Sequence, residues 1–149
     1  MKQVQLRSKD ASKELSQYSF EIGKKDQVEL REDEIKFLFI NKKPAFFWRD
    51  GRWVPTLRFL QSNSILKTVV VDMGAIKFLI GGADVMRPGI VEIGETIGKD
   101  EVVTIVDKNN QKPIAVGIAL YSGEEMKSLS SGKVIKNIHY VGDKIWNTI

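Results

Sequence analysis

The 149-residue chain contains no cysteine, a single histidine, four prolines and no apolar run approaching the ~18 residues that a bilayer span requires. Without cysteine there can be no disulfide, no thiolate metal ligand and no cysteine nucleophile. With His139 alone, a two-histidine zinc site is excluded, and any Ser-His-Asp triad is pinned to that one residue. The missing apolar run excludes a membrane-spanning helix. Residues 1–10 are mixed-polar and lack the apolar stretch of a signal peptide, so a cytoplasmic protein is expected.

Hydrophobic residues make up 42% and charged residues 28% of the chain, which places it with globular domains and against disorder. The net charge of +4 is unevenly held. Residues 1–66 carry thirteen Lys/Arg against nine Asp/Glu, whereas residues 67–149 carry ten of each. An anionic partner would therefore feel the first part most.

The pattern of elements also changes near Lys67. In the first part, residues 9–18 form a polar helix candidate with Leu15 and Tyr18 inward, followed by strands over residues 28–30 and 35–40. Residues 44–48 and 52–54 flank Asp50-Gly51, a pair suited to a two-residue hairpin turn. Thr56 can cap a helix expected over residues 56–66. In the second part, a strand at residues 68–71 precedes Asp72, which can cap a helix that Gly81-Gly82 would end. Strands follow over residues 90–93, 102–106, 114–121 and 134–140, with a short helix at residues 123–129. Many short strands with brief helices predict a small barrel or pseudo-barrel.

No credible catalytic constellation is present. His139, in an Ile-His-Tyr strand, reads as a structural hydrogen-bonding residue. Residues 94–99 outline a phosphate loop, but the glycine spacing is one residue short and Asp100 stands where Ser/Thr would hold magnesium. Glu32-Asp33-Glu34 cannot converge on one cation and reads as a solvated loop. Neither a metal nor a cofactor is expected.

Two stretches suit binding. Lys42, Lys43, Arg49 and Arg52 surround Phe46, Phe47, Trp48 and Trp53, a mixture that fits a phosphate backbone with stacked bases; the same aromatics, alternating on a hairpin, equally fit a core. In residues 74–89, small residues bracket an apolar helix. Either exposed amides there meet RNA, with Lys77 and Arg87 supplying charge, or the glycines serve tight packing across a barrel mouth.

The second stretch carries a resemblance. VVVDMGA (residues 69–75), GADVMRPGI (82–90), IAVGIALYS (114–122) and NIHYVGDKIW (137–146) resemble, in order, the strands, helix and glycine-containing loop of the PUA domain. With Pro55-Thr56-Leu57-Arg58 and the aromatic hairpin ahead of it, the chain is similar to the malignant-T-cell-amplified-sequence and ligatin N-terminal family, in an archaeal-type form. The resemblance implies an α+β protein: a small α/β pre-PUA domain over residues 1–66, then a PUA mixed-strand pseudo-barrel with short helices over residues 67–149. It implies non-enzymatic RNA binding, to the CCA end of tRNA or to small-subunit rRNA, in translation initiation or recycling. The family further implies the small ribosomal subunit and a SUI1-domain protein as partners, the latter on another chain. On this basis Lys77, Gly81, Gly82, Ala83, Asp84, Met86 and Arg87 are the expected contact face. The backbone of residues 81–83 would approach RNA, Arg87 would hold phosphate, and Asp84 would accept from a base or cap the following turn. Lys42, Lys43, Arg49 and Arg52 would add a second, sequence-independent contact. An accessory subunit delivering RNA to a modification enzyme, or a protein-interaction scaffold, are the alternatives.

Overall fold

The computed structural model describes residues 2–94 and 96–149, and its contacts divide the chain into two compact units that meet between Ile65 and Leu66. The first unit also includes Ile149.

The first unit is a five-stranded antiparallel meander, β1 (Lys2–Leu6), β2 (Val28–Glu32), β3 (Lys36–Ile40), β4 (Lys43–Arg49) and β5 (Arg52–Pro55), in the spatial order of the sequence. Helix α1 (Ser8–Glu14) places Ala11 and Leu15 in a core with Val28, Leu38, Ile40, Phe46 and Trp53. The Asp50-Gly51 turn forms as its residues require: both are left-handed, at φ 48° and 82°, and Arg49 faces Arg52 across the ladder. Thr56 does cap a helix, accepting the Phe59 amide at 3.2 Å, but α2 spans only Leu57–Leu60 rather than residues 56–66. The Asn63 side chain bonds back to the Phe59 carbonyl at 3.0 Å and competes with the helical ladder. Likewise α1 stops before residue 18, because the Ser16 and Tyr18 amides turn to carbonyls only three residues back. Strand β1 is not foreshadowed by any apolar alternation. Its first four residues are exposed, and its place comes from pairing with β2, helped by Gln3 donating to Glu29 at 2.8 Å.

The second unit wraps one six-stranded sheet into a nearly closed barrel. Its strands are β6 (Thr68–Val71), β7 (Val85–Met86), β8 (Ile90–Ile93), β9 (Val102–Asp107), β10 (Pro113–Ala119) and β11 (Lys133–Tyr140), in the order β7-β11-β10-β9-β6-β8. Among the described residues, only β6 and β9 pair in parallel. The two edge strands, β7 and β8, are joined in sequence by a single 3₁₀ turn, Arg87–Gly89. The core gathers Val69, Val71, Val103, Ile105, Ala115, Val134 and Ile135 from the strands with Leu79 and Met126 from helices α3 (Met73–Leu79) and α4 (Gly123–Ser128). At Gly117 a β-carbon would stand 2.4 Å from the Ile135 side chain, and it is here that the β10–β11 register shifts.

The chain closes with α5 (Lys144–Thr148), whose first turn is held by Asp143 accepting the Trp146 amide at 2.7 Å. His139 is fully buried with Nδ1 2.9 Å from the same carboxylate, a structural role as its sequence setting indicated. Burial alone would raise the Asp143 pKa, but hydrogen bonds from His139 and from the Trp146 and Tyr140 amides outweigh it and hold the carboxyl below its usual range. Of the loop at residues 94–99, Glu95 lies outside the described residues.

Candidate functional site

Asp72 begins the site by capping α3, its carboxylate accepting the Ala75 amide at 2.9 Å. The helix ends in a Schellman arrangement: Gly82, left-handed at φ 93°, donates to Leu79, and Ala83 donates to Phe78. Strand β11 grips this exit from beneath. The Asn137 side-chain amide donates to the carbonyls of Leu79 (3.1 Å) and Ala83 (2.9 Å), while its backbone amide donates to Asp84 (2.8 Å). Lys133 pairs with the other Asp84 oxygen at 3.3 Å. The Tyr140 hydroxyl lies 3.2 Å from where a β-carbon on Gly82 would stand.

These constraints hold open a cleft of ≈ 500 Å³ between α3 and the loop that returns to β8. Its walls are overwhelmingly apolar, built from Gly74, Ala75 and Phe78 on one side and Ala83, Met86 and Pro88 on the other. Phe78 is 60% exposed and Met86 50%, unusual values for large apolar side chains bordering one cleft. Lys77, also exposed, places its ammonium 5.1 Å from the centroid of the Phe78 ring.

The residues singled out in the sequence thus divide. Lys77, Gly81, Gly82, Ala83, Asp84 and Met86 do gather at this end of the barrel, but the roles expected of the Gly81, Gly82 and Ala83 backbone, of Asp84 and of Arg87 change. The amides of Gly81, Gly82 and Ala83 all turn inward to helix carbonyls, so they offer no donors to a ligand; the glycines supply room instead. Arg87 is corrected from phosphate holder to structural tie: its guanidinium donates to the carbonyls of Met126 (2.6 Å) and Ile90 (3.4 Å), anchoring α4 to the edge of the barrel. Asp84 is neither an open acceptor nor the cap of the following turn, since β11 occupies both its oxygens. Phe78 and Asn137 were not anticipated. Phe78 carried a signal nonetheless, being off the stripe that buries Leu79 and half-buries Ala75 and Ile76.

The basic hairpin does not form one patch. Lys42 and Lys43 sit at one end of β4 and Arg49 at the other, six residues or about 20 Å away. Phe46, Phe47 and Trp53 are buried, which is the core reading of these aromatics; Trp48 alone is exposed, with the Lys36 ammonium 5.0 Å from its ring. Arg49 lies 3.6 Å from Asp50, and Arg52 faces it across the turn.

Comparison with known proteins agrees with this geometry. The PUA domain family matches residues 67–141, and a domain of unknown function, DUF1947, matches residues 5–63. An uncharacterised protein of Methanocaldococcus jannaschii is 53% identical over 85% of this chain and 79% of its own. Translation machinery-associated protein 20 of Schizosaccharomyces pombe is 38% identical over 86% of this chain and 75% of its own. The crystal structure of a hypothetical protein from Pyrococcus horikoshii superposes with a TM-score of 0.86 at 35% identity, covering 99% of each chain. The PUA domain is an RNA-binding module, and the name of the Schizosaccharomyces pombe relative places that protein with the translation machinery. The chain belongs to the PUA-domain family that includes translation machinery-associated protein 20 and malignant T-cell-amplified sequence 1.

Proposed function

We propose that the cleft beside α3 receives the unpaired 3′ end of an RNA, as the CCA end of tRNA presents, and that this anchors the protein to tRNA or small-subunit rRNA during translation initiation or recycling. The observation that carries the reading is an apolar cleft bordered by exposed Phe78 and Met86. Unpaired bases offer flat apolar faces, and stacking on an aromatic side chain is worth about 1–3 kcal/mol per base without requiring a particular sequence. Lys77 at the rim supplies charge toward the phosphates. Stacking, rather than the donor-rich backbone expected from the glycines, is then the main source of affinity.

Fluorescence anisotropy with deacylated tRNA transcripts, with and without the CCA nucleotides, tests this. Removal of the three nucleotides should weaken binding, and Phe78→Ala should weaken it by a comparable factor without a further loss on the shortened transcript. Equal affinity for both transcripts would remove the end-binding reading. No RNA affinity even at low ionic strength would leave a protein-interaction scaffold. A SUI1-domain protein on a separate chain is the proposed partner for work on the ribosome, and co-sedimentation with small subunits in its presence and absence tests that part.

A further inference from the structure

The first unit carries a second recess that the cleft does not use. It is a groove of ≈ 550 Å³ along the flank of α1, lined by Ser8, Lys9, Ser12, Lys13, Ser16, Ile22 and Lys24. Its composition follows from the sequence Ser8-Lys9-Asp10-Ala11-Ser12-Lys13, in which a Ser-Lys pair recurs after four residues, with Ser16 four residues further on. Residues four apart lie one above the other on a helix, about 5–6 Å between β-carbons. Ala11 and Leu15 are buried against the sheet; Ser8 and Ser12 border that buried flank and are half-buried, while Lys9, Lys13 and Ser16 are turned toward solvent. Lys24, from the segment between α1 and β2, closes the groove from the far side.

Lys9, Lys13 and Lys24 converge on this one groove and make no ion pair among the described residues. The nearby carboxylate of Glu14 is instead engaged by the Trp53 indole at 2.8 Å. The hydroxyls of Ser8, Ser12 and Ser16 likewise have no hydrogen-bond partner among the described residues. Three unmatched ammoniums and three free hydroxyls, repeating along a line, match a partner whose anionic oxygens also repeat along a line.

The geometry points to this groove as a track for the phosphodiester backbone of RNA, in which the lysines neutralise successive phosphates and the serine hydroxyls donate to their oxygens between them. It rests on the RNA-binding reading of the protein and adds a second contact that is indifferent to sequence and to the 3′ end. It also places the phosphate contact of the first unit on α1, away from the divided charges of the β4 hairpin.

The test is a salt titration of the full chain against a tRNA transcript lacking CCA, so that the cleft contributes least. In the triple variant Lys9→Gln, Lys13→Gln, Lys24→Gln, the slope of log affinity against log salt should shrink by about 2 to 3, since each phosphate contact contributes ~0.7–0.9. The triple variant Ser8→Ala, Ser12→Ala, Ser16→Ala should weaken binding with the slope unchanged, because a hydroxyl displaces no counterion; alanine favours the helix, so loss of fold would not explain it. A control with Lys108, Lys112 and Lys127 changed to Gln should keep the slope. An unchanged slope in the first variant overturns the track, as does an equal reduction in the control. If at the same time Phe78→Ala still weakens intact tRNA, the cleft reading survives alone. Absence of wild-type RNA affinity overturns both readings. Vesicles containing phosphatidylserine form the last arm: lysine-dependent binding to them, with the RNA slope unchanged, would assign the groove to a membrane surface instead.

Discussion

Asn137 and Ala83, 54 residues apart in the chain, are joined by a 2.9 Å hydrogen bond from side-chain amide to backbone carbonyl. The same amide group also holds the Leu79 carbonyl, so one side chain of the barrel sets both the last turn of α3 and the loop beyond it. Replacing Asn137 by Ala would take its donor from the Ala83 carbonyl and leave the Leu79 carbonyl with the Gly82 amide alone. The expected cost is about 1–3 kcal/mol of stability, measured by urea denaturation. RNA affinity should fall by more than the small unfolded fraction accounts for, because the loop bordering the cleft loses its tether. Equal affinity for the variant and the parent protein would show that the cleft does not depend on this clamp.

Gly82 is tied to Tyr140 in a comparable way. A β-carbon at this left-handed position would meet the tyrosine hydroxyl at 3.2 Å, and the backbone conformation itself disfavours any L side chain. Gly82→Ala should cost about 1–2 kcal/mol from the backbone alone. Adding Tyr140→Phe should recover only the part owed to the hydroxyl contact. A double-mutant cycle in thermal or urea unfolding separates the two contributions; full recovery in the double variant would mean that φ strain contributes nothing here.

Phe78 and Arg87 should behave oppositely. Phe78 is mostly exposed, so Phe78→Ala is expected to leave unfolding within about 0.5 kcal/mol of the parent, as for other surface substitutions, and to weaken RNA binding by the ~1–3 kcal/mol of one base stack. Arg87→Ala removes a charge-assisted tie to the Met126 carbonyl and should cost about 1.5–3 kcal/mol of stability. Under conditions where both variants are folded, RNA affinity should respond to Phe78 and not to Arg87. The reverse pattern would restore Arg87 as a phosphate ligand.

Features decided by local chemistry were legible in the sequence. Asp72 and Thr56 cap helices, and Asp50-Gly51 turns a hairpin, because each acts within a few residues of itself. The strands β6 and β9 were also legible, from their short β-branched apolar runs at residues 69–71 and 102–103, although β9 also buries Thr104 and Asp107. The barrel family was legible for a different reason: long ordered motifs over residues 69–146. What was not legible depended on distant partners. Arg87 reads as a free cation until its acceptor appears 39 residues later, and Asp84 as a free acceptor until β11 arrives beneath it. Strand β1 has no apolar period to show, and exists because β2 offers it an edge. The groove along α1 was not legible either: its helix read only as polar with Leu15 and Tyr18 inward, and it is the fold that brings Lys24 beside Lys9 and Lys13.

Tyr18 gives the first unit a marked sensitivity to alkali. Its hydroxyl donates to the Trp53 carbonyl beneath the aromatic cluster, with the Phe46 ring centroid 5.6 Å away. Burial pushes its pKa up to about 12, against a smaller opposing pull from the Arg52 charge. A tyrosine near 10 in the unfolded chain and near 12 in the folded one binds its proton more tightly when folded. Its contribution to stability is therefore complete below about pH 10 and is lost as pH rises from there to about 12. Tyr18→Phe should lower stability at neutral pH by about 1 kcal/mol, through the lost hydrogen bond, and should flatten the alkaline limb of the stability curve. Urea midpoints measured from pH 8 to 11.5 for the parent and the variant check this. Parallel curves across that range would mean that the phenol ionises as readily in the folded protein as in the unfolded chain.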